Sequence, residues 1–90
     1  MSRKHPLKCA VGSKRFTVIE VFGFNSRGAA TADTYAGRNF ESALRAAQPD
    51  HGNVLRVSVV CARDAGEARL PSQIKKYGKL VKSIRYKRGG

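Results

Sequence analysis

Apolar residues along this chain come mostly in alternating or β-branched runs, and in one stretch they switch to helical spacing. From Arg15 to Phe24 the sequence is dense in Val, Ile, Thr and Phe, with no Gly or Pro before Gly23, which predicts a strand. Phe16, Val18, Phe22 and Phe24 fall on one face, interrupted by Glu20, and Thr17, Ile19 and Val21 fall on the other. Two apolar faces are expected of a central strand. Asn25-Ser26-Arg27-Gly28 is a turn signal, and Ala29 to Ala36, with Thr31, Thr34 and Tyr35, predicts a weaker second strand that completes a hairpin.

The spacing then changes. Asn39 can cap a helix with Glu41 in its first turn and a buried stripe of Phe40, Ala43, Leu44 and Ala47; Pro49 and Gly52 end it. Val54 to Ala62 alternates again, with Leu55, Val57, Val59 and Cys61 on one face and Arg56 and Ser58 on the other, which predicts a half-buried strand. Asp64 to Gly66 reads as a turn, and Leu70-Pro71-Ser72 as the approach to a helix. The last segment has two readings. Leu70, Ile74, Tyr77, Val81 and Ile84 make a continuous helical seam, whereas from Lys79 to Lys87 a period of two fits a strand. Gly78 decides for a short helix from about Ser72 to Tyr77 and a strand after it, because a glycine costs a helix interior about 1 kcal/mol. The expected fold is a small α+β sandwich of order ββαβ(α)β, with an antiparallel or mixed sheet and one main helix.

Charge refines this picture once it is divided along the chain. The 90 residues carry 18 Lys and Arg against 6 Asp and Glu, a net +12. Residues 1–15 hold +5 with no acid, residues 16–72 are neutral, and residues 73–90 hold +7 with no acid. The expected organisation is a basic arm over 1–14, one α+β domain over 15–88 ending in a basic segment over 73–88, and a flexible end at 89–90. At this length folding hides roughly 60–65% of the chain's surface, enough for one modest core and too little for a large enclosed active site. With 41% hydrophobic residues in periodic positions, the chain is expected to fold.

Uncompensated cations repel one another, so a cluster with no acid among it points to an external anion that relieves the strain. The candidate phosphate-binding residues are Arg3, Lys4, Lys8, Lys14 and Arg15 at the start, Arg56 on the polar face of its strand, and Lys75, Lys76, Lys79, Lys82, Arg85, Lys87 and Arg88 at the end. As a strand, the last segment places Lys79, Arg85 and Lys87 on one face, opposite Leu80, Ile84 and Tyr86; as a helix, Lys75, Lys79 and Lys82 form one flank. Either gives a basic stripe. Phosphate contact needs no more than that, while base reading needs side chains the stripe does not single out. The expectation is a non-enzymatic nucleic-acid-binding protein, for RNA or DNA, working alone or within a nucleoprotein complex. An alternative is a small interaction protein of the kind mobile elements or phages encode, binding or inhibiting an acidic protein partner.

Other chemistry leaves little trace. There is no nucleophile elbow, Walker loop or dinucleotide-binding glycine pattern, and no cofactor is expected. The carboxylates are few and most sit near arginines, Asp64 by Arg63, Glu67 by Arg69 and Glu41 by Arg38 and Arg45, as solvated surface pairs do. His51 lies in a turn and is read as polar filling rather than a base. Cys9, Cys61, His5 and His51 are zinc donor types without a local C-x-x-C or H-x-x-x-H pair, so no metal site is expected. The start does not read as a secretory signal, and no run approaches the ~18 apolar residues of a membrane span, so a soluble cytoplasmic protein with reduced thiols is expected. A bond between the cysteines would instead imply an oxidising environment. Phe16, Phe22 and Phe24 invite comparison with RNA-stacking sheets, but Phe22-Gly23-Phe24 matches only the centre of such a motif, and core packing is expected for at least two of the rings. Finally, Arg88-Gly89-Gly90 resembles the tail of ubiquitin-like modifiers, a family whose β-grasp order is compatible with this one; the resemblance implies conjugation through the terminal glycine. Oligomeric state stays open, since an edge strand or the apolar seam could each pair two copies.

Overall fold

A computed structural model of the chain describes residues 9–87. Its order is ββαβααβ: β1 (Lys14–Phe24), β2 (Ala30–Gly37), α1 (Phe40–Ala47), β3 (Val54–Ala62), α2 (Ala65–Ala68), α3 (Pro71–Tyr77) and β4 (Gly78–Arg85). The strands form one antiparallel sheet in the order β2-β1-β3-β4, the expected α+β class. Among the described residues no helix is long and apolar enough to cross a membrane.

The β1–β2 hairpin closes where Asn25 Oδ1 accepts from the backbone N–H groups of Arg27 and Ala29, at 2.9 and 3.0 Å. Such an Asx turn is why asparagine serves at this position. Asn39 caps α1 as the sequence predicts, its Oδ1 accepting from Ser42 N–H at 2.8 Å, and Gln48 ends the helix in the left-handed region at φ 42°.

The sheet is covered on both faces, each over one part only. On the first face Phe16, Val18, Val60 and Ala62 pack with Ala68 of α2 and Ile74 of α3. On the second, Ile19, Leu55 and Val57 pack with Ala43, Phe40 and Leu44 of α1, and Tyr86 closes the cluster. Ile19, Leu55, Val18 and Val60 lose all contact with water. Burying a side chain of this size stabilises the fold by roughly 1.5–3 kcal/mol. β3 is therefore not half-buried as its alternation suggested: Ser58, Val60 and Ala62 are buried opposite Leu55 and Val57, because α2 and α3 roof the face expected to be polar.

Three further expectations change. Asp64 to Gly66 is not a plain turn but opens α2, with Asp64 Oδ1 accepting from Glu67 N–H at 2.8 Å. Glu67 pairs with Arg63 rather than Arg69, its Oε2 accepting from Nε and Nη2 at 3.2 and 3.1 Å. The cysteines are not free thiols: Cys9 and Cys61 form a disulfide. A turn makes this bond geometrically available, since Gly12 at φ 88° and the Ser13 N–H to Ala10 C=O bond of 2.9 Å fold the chain ahead of β1 back over β3.

At Gly78 helix ends and strand begins, as the sequence predicts. Its N–H donates to the Ile74 carbonyl, and a Cβ at this position would collide with that same carbonyl and press on Val60 Cγ2 at 3.1 Å. Only glycine lets α3 turn this sharply onto β3. The continuous helical seam from residue 70 to 84 is thereby excluded, and with it the helical flank of Lys75, Lys79 and Lys82.

Candidate nucleic-acid interface

Every candidate cation in the described residues is exposed: Lys14, Arg15, Arg56, Lys75, Lys76, Lys79, Lys82, Arg85 and Lys87. Arg3, Lys4, Lys8 and Arg88 lie outside the described residues, as does the Gly89-Gly90 tail.

β4 does not present the single basic stripe that simple alternation implied. Its pairing with β3 runs Val60↔Gly78, Val59↔Lys79 and Ser58↔Leu80, then resumes at Val57↔Lys82, leaving Val81 as an extra residue. Such a bulge inverts the alternation. Lys79 and Lys82 consequently share the α1 face with Ile84 and Tyr86, whereas Arg85 points with Leu80 and Ser83 to the face that α2 and α3 roof. Lys82 is held in place there, its Nζ 4.3 Å from the centre of the Phe40 ring. A cation over a ring keeps its charge available while losing freedom.

Two grooves flank the α3–β4 corner. The first, about 730 Å³, is lined by Ser13, Cys61, Arg63, Glu67, Lys76 and Lys79, so the turn after Cys9 and the basic C-terminal segment share one wall-to-wall space. Lys14 and Arg15 continue from that turn, with Arg15 registered opposite Cys61. Arg63 N–H and then its guanidinium bond the Glu67 carboxyl and hold its pKa below the usual value, so the one acid in this groove is ionised and already occupied. The second groove, about 370 Å³, lies on the other side of α3, between Arg56 of β3 and Lys75, with Glu20 and Leu80 beside them. Arg56 of β3 and Lys75 of α3 thus line one groove, whereas Arg56 pairs on β4 with Ser83.

The aromatic residues divide in a way the sequence did not resolve. Phe16 is core, 9% exposed; Phe22 is half-buried; Phe24, on the same face of the same strand, is 77% exposed. The hidden variable is where the short helices dock, which the spacing of β1 does not encode. Among the described residues no group of three or more His, Cys, Asp or Glu side chains is placed to hold a metal ion. Comparison of the chain with known protein families, curated proteins and solved structures finds no match.

Proposed function

We propose that this protein binds nucleic acid through its phosphate backbone, without catalysing a reaction. The observation that carries this reading is the groove between the Cys9 turn and the α3–β4 corner, where Arg63, Lys76 and Lys79 line the wall and no acid follows Glu67 in the sequence. Six phosphate contacts would make duplex affinity fall about a thousandfold between 50 and 200 mM salt. The test is a salt-dependent mobility shift with single-stranded RNA, single-stranded DNA and duplex DNA, run on the wild type and on a variant with Lys75, Lys76, Lys79 and Lys82 changed to Gln. The variant should bind weakly with a shallower salt slope. No binding by the wild type in low salt, or binding indifferent to salt, rules the reading out.

The Cys9–Cys61 bond ties the turn that forms one wall of this groove to β3, so the proposal applies to the oxidised protein, in a setting that keeps the bond closed rather than in the cytoplasm expected from the sequence, where thiols stay reduced.

One observation favours a second reading. β4 is an edge strand with Leu80 and Val81 exposed beside its cations, so an extended acidic segment of a partner protein could pair along it. Retention of one protein from nuclease-treated lysate, lost on neutralising Lys79, Lys82 and Arg85, would favour it over the first.

A further inference from the structure

The first sheet face has an unroofed part, and its composition differs from everything beneath the helices. Beyond the cluster under α2 and α3, the register sets Ala32, Phe22, Val54 and Arg85 in one row across the four strands, and Thr34, Glu20, Arg56 and Ser83 in the next. Phe24 stands at the outer end, paired with Ala30. Two rings are therefore flanked on the β2 side by alanines, which leave their faces clear. Two arginines stand on the other side, Arg85 two strands from Phe22, about 10 Å at the usual strand spacing.

We propose that this surface is a stacking platform for the bases of a single-stranded nucleic acid, with Phe24 and Phe22 under the bases and Arg56 and Arg85 at the backbone phosphates. The inference rests on the nucleic-acid reading above and deepens it, because duplexed bases cannot lie on a ring whereas unpaired ones can. A protein partner would be met by apolar surface closed with polar rims; here the apolar surface is planar rings with guanidinium groups next to them, which matches alternating bases and phosphates. Phe24 is also held ready. The Asx turn at Asn25 and the Asn25 N–H to Ala29 C=O bond of 2.9 Å fix the hairpin backbone immediately beyond it, so little main-chain freedom remains to be lost on binding. The single carboxylate, Glu20, lies directly across from Arg56 and between it and the β2 edge, which confines the phosphate path to the β3–β4 side.

The experiment uses the full chain with oligo-U, oligo-dT and a duplex of equal length. Phe24→Ala should weaken binding to both single strands by about 5- to 150-fold, the equivalent of ~1–3 kcal/mol per stacked base, while leaving duplex binding and the salt slope unchanged. The chain contains no Trp, so Phe24→Trp supplies a single tryptophan, excited selectively beyond the absorption of the three tyrosines, whose emission a stacked base should quench. Arg56→Gln should lower the salt slope for single strands by about one contact. Equal single-strand affinity of wild type and Phe24→Ala, or unquenched fluorescence at saturation, overturns the platform while leaving phosphate binding standing. A wild type that binds no nucleic acid in low salt overturns both.

Discussion

Phe16 and Phe24 stand eight positions apart on one face of one strand, with the same side chain and the same alternation around them, yet Phe16 is core and Phe24 is left to solvent. The difference lies above the sheet. Over Phe16 sit Ala68 and Ile74, delivered by two short helices whose docking depends on Gly78 and on the bond from Gln73 Nε2 to the Cys61 carbonyl, 2.9 Å. Over Phe24 no described element lies within the packed clusters, and the charged residues in the rows nearest it are Arg85, Glu20 and Arg56. The sheet is thus one continuous hydrogen-bonded object with a structural half and an open half. Strand propensity builds both; helix placement separates them.

The sharpest way to break this comparison is to truncate both rings. Phe16→Ala should cost about 3–5 kcal/mol in denaturant melts, as buried aromatic truncations do, whereas Phe24→Ala should change stability by less than about 0.5 kcal/mol. Equal costs would mean that the open half is packed in solution. Reducing the disulfide probes whether the roofed half needs its covalent tie. Joining residues 52 apart constrains the unfolded chain by about 4 kcal/mol in the chain-entropy account, so reductant should lower the midpoint yet leave a cooperative transition. Gly78→Ala attacks the roof itself. Forcing a Cβ against the Ile74 carbonyl should cost about 1–3 kcal/mol and expose Phe16 first, visible as faster amide exchange around Val60 than around Leu55.

The smallest effect concerns Glu67. Its folded pKa is depressed, so its contribution to stability is present above the unfolded value and is lost as pH falls through the folded one. Loosening of α2 should therefore begin below the ordinary glutamate pKa of ~4.3 and be complete only below the depressed value. Glu67→Gln should remove that acid-dependent step, read from the exchange of the Arg63 amide.

Much of the architecture was legible in the residues themselves. Val54 to Ala62 is the strand the alternation marked, Asn39 caps the helix its position suggested, and Gly78 divides helix from strand. These are local signals, read within a few residues. What escaped depends on residues far apart in sequence. The disulfide needs Cys9 to return over β3, and the two roofs on β3 need helices from both sides of it. The inversion at Val81 follows from the pairing partner, since no pattern within β4 says that one residue will be skipped. Only α2 was missed despite a local cue, Asp64 followed three residues later by Glu67, a spacing that starts helices. The candidate cations were identifiable from charge alone, but their division between two faces was not, nor was which of the three rings would stay exposed.

The bulge at Val81 also governs how copies of the chain treat one another. An edge strand with unbroken alternation is a template on which a second molecule can stack, and growth from such edges leads to aggregates. β4 is twisted out of register at its middle and studded with Lys79, Lys82 and Arg85, so a second β4 approaching it meets both a misfit and like charge. The cations that the proposed function offers to a polyanion would at the same time guard the sheet's edge. A polyanion that neutralises them leaves the misfit at Val81 as the remaining barrier to fibre growth.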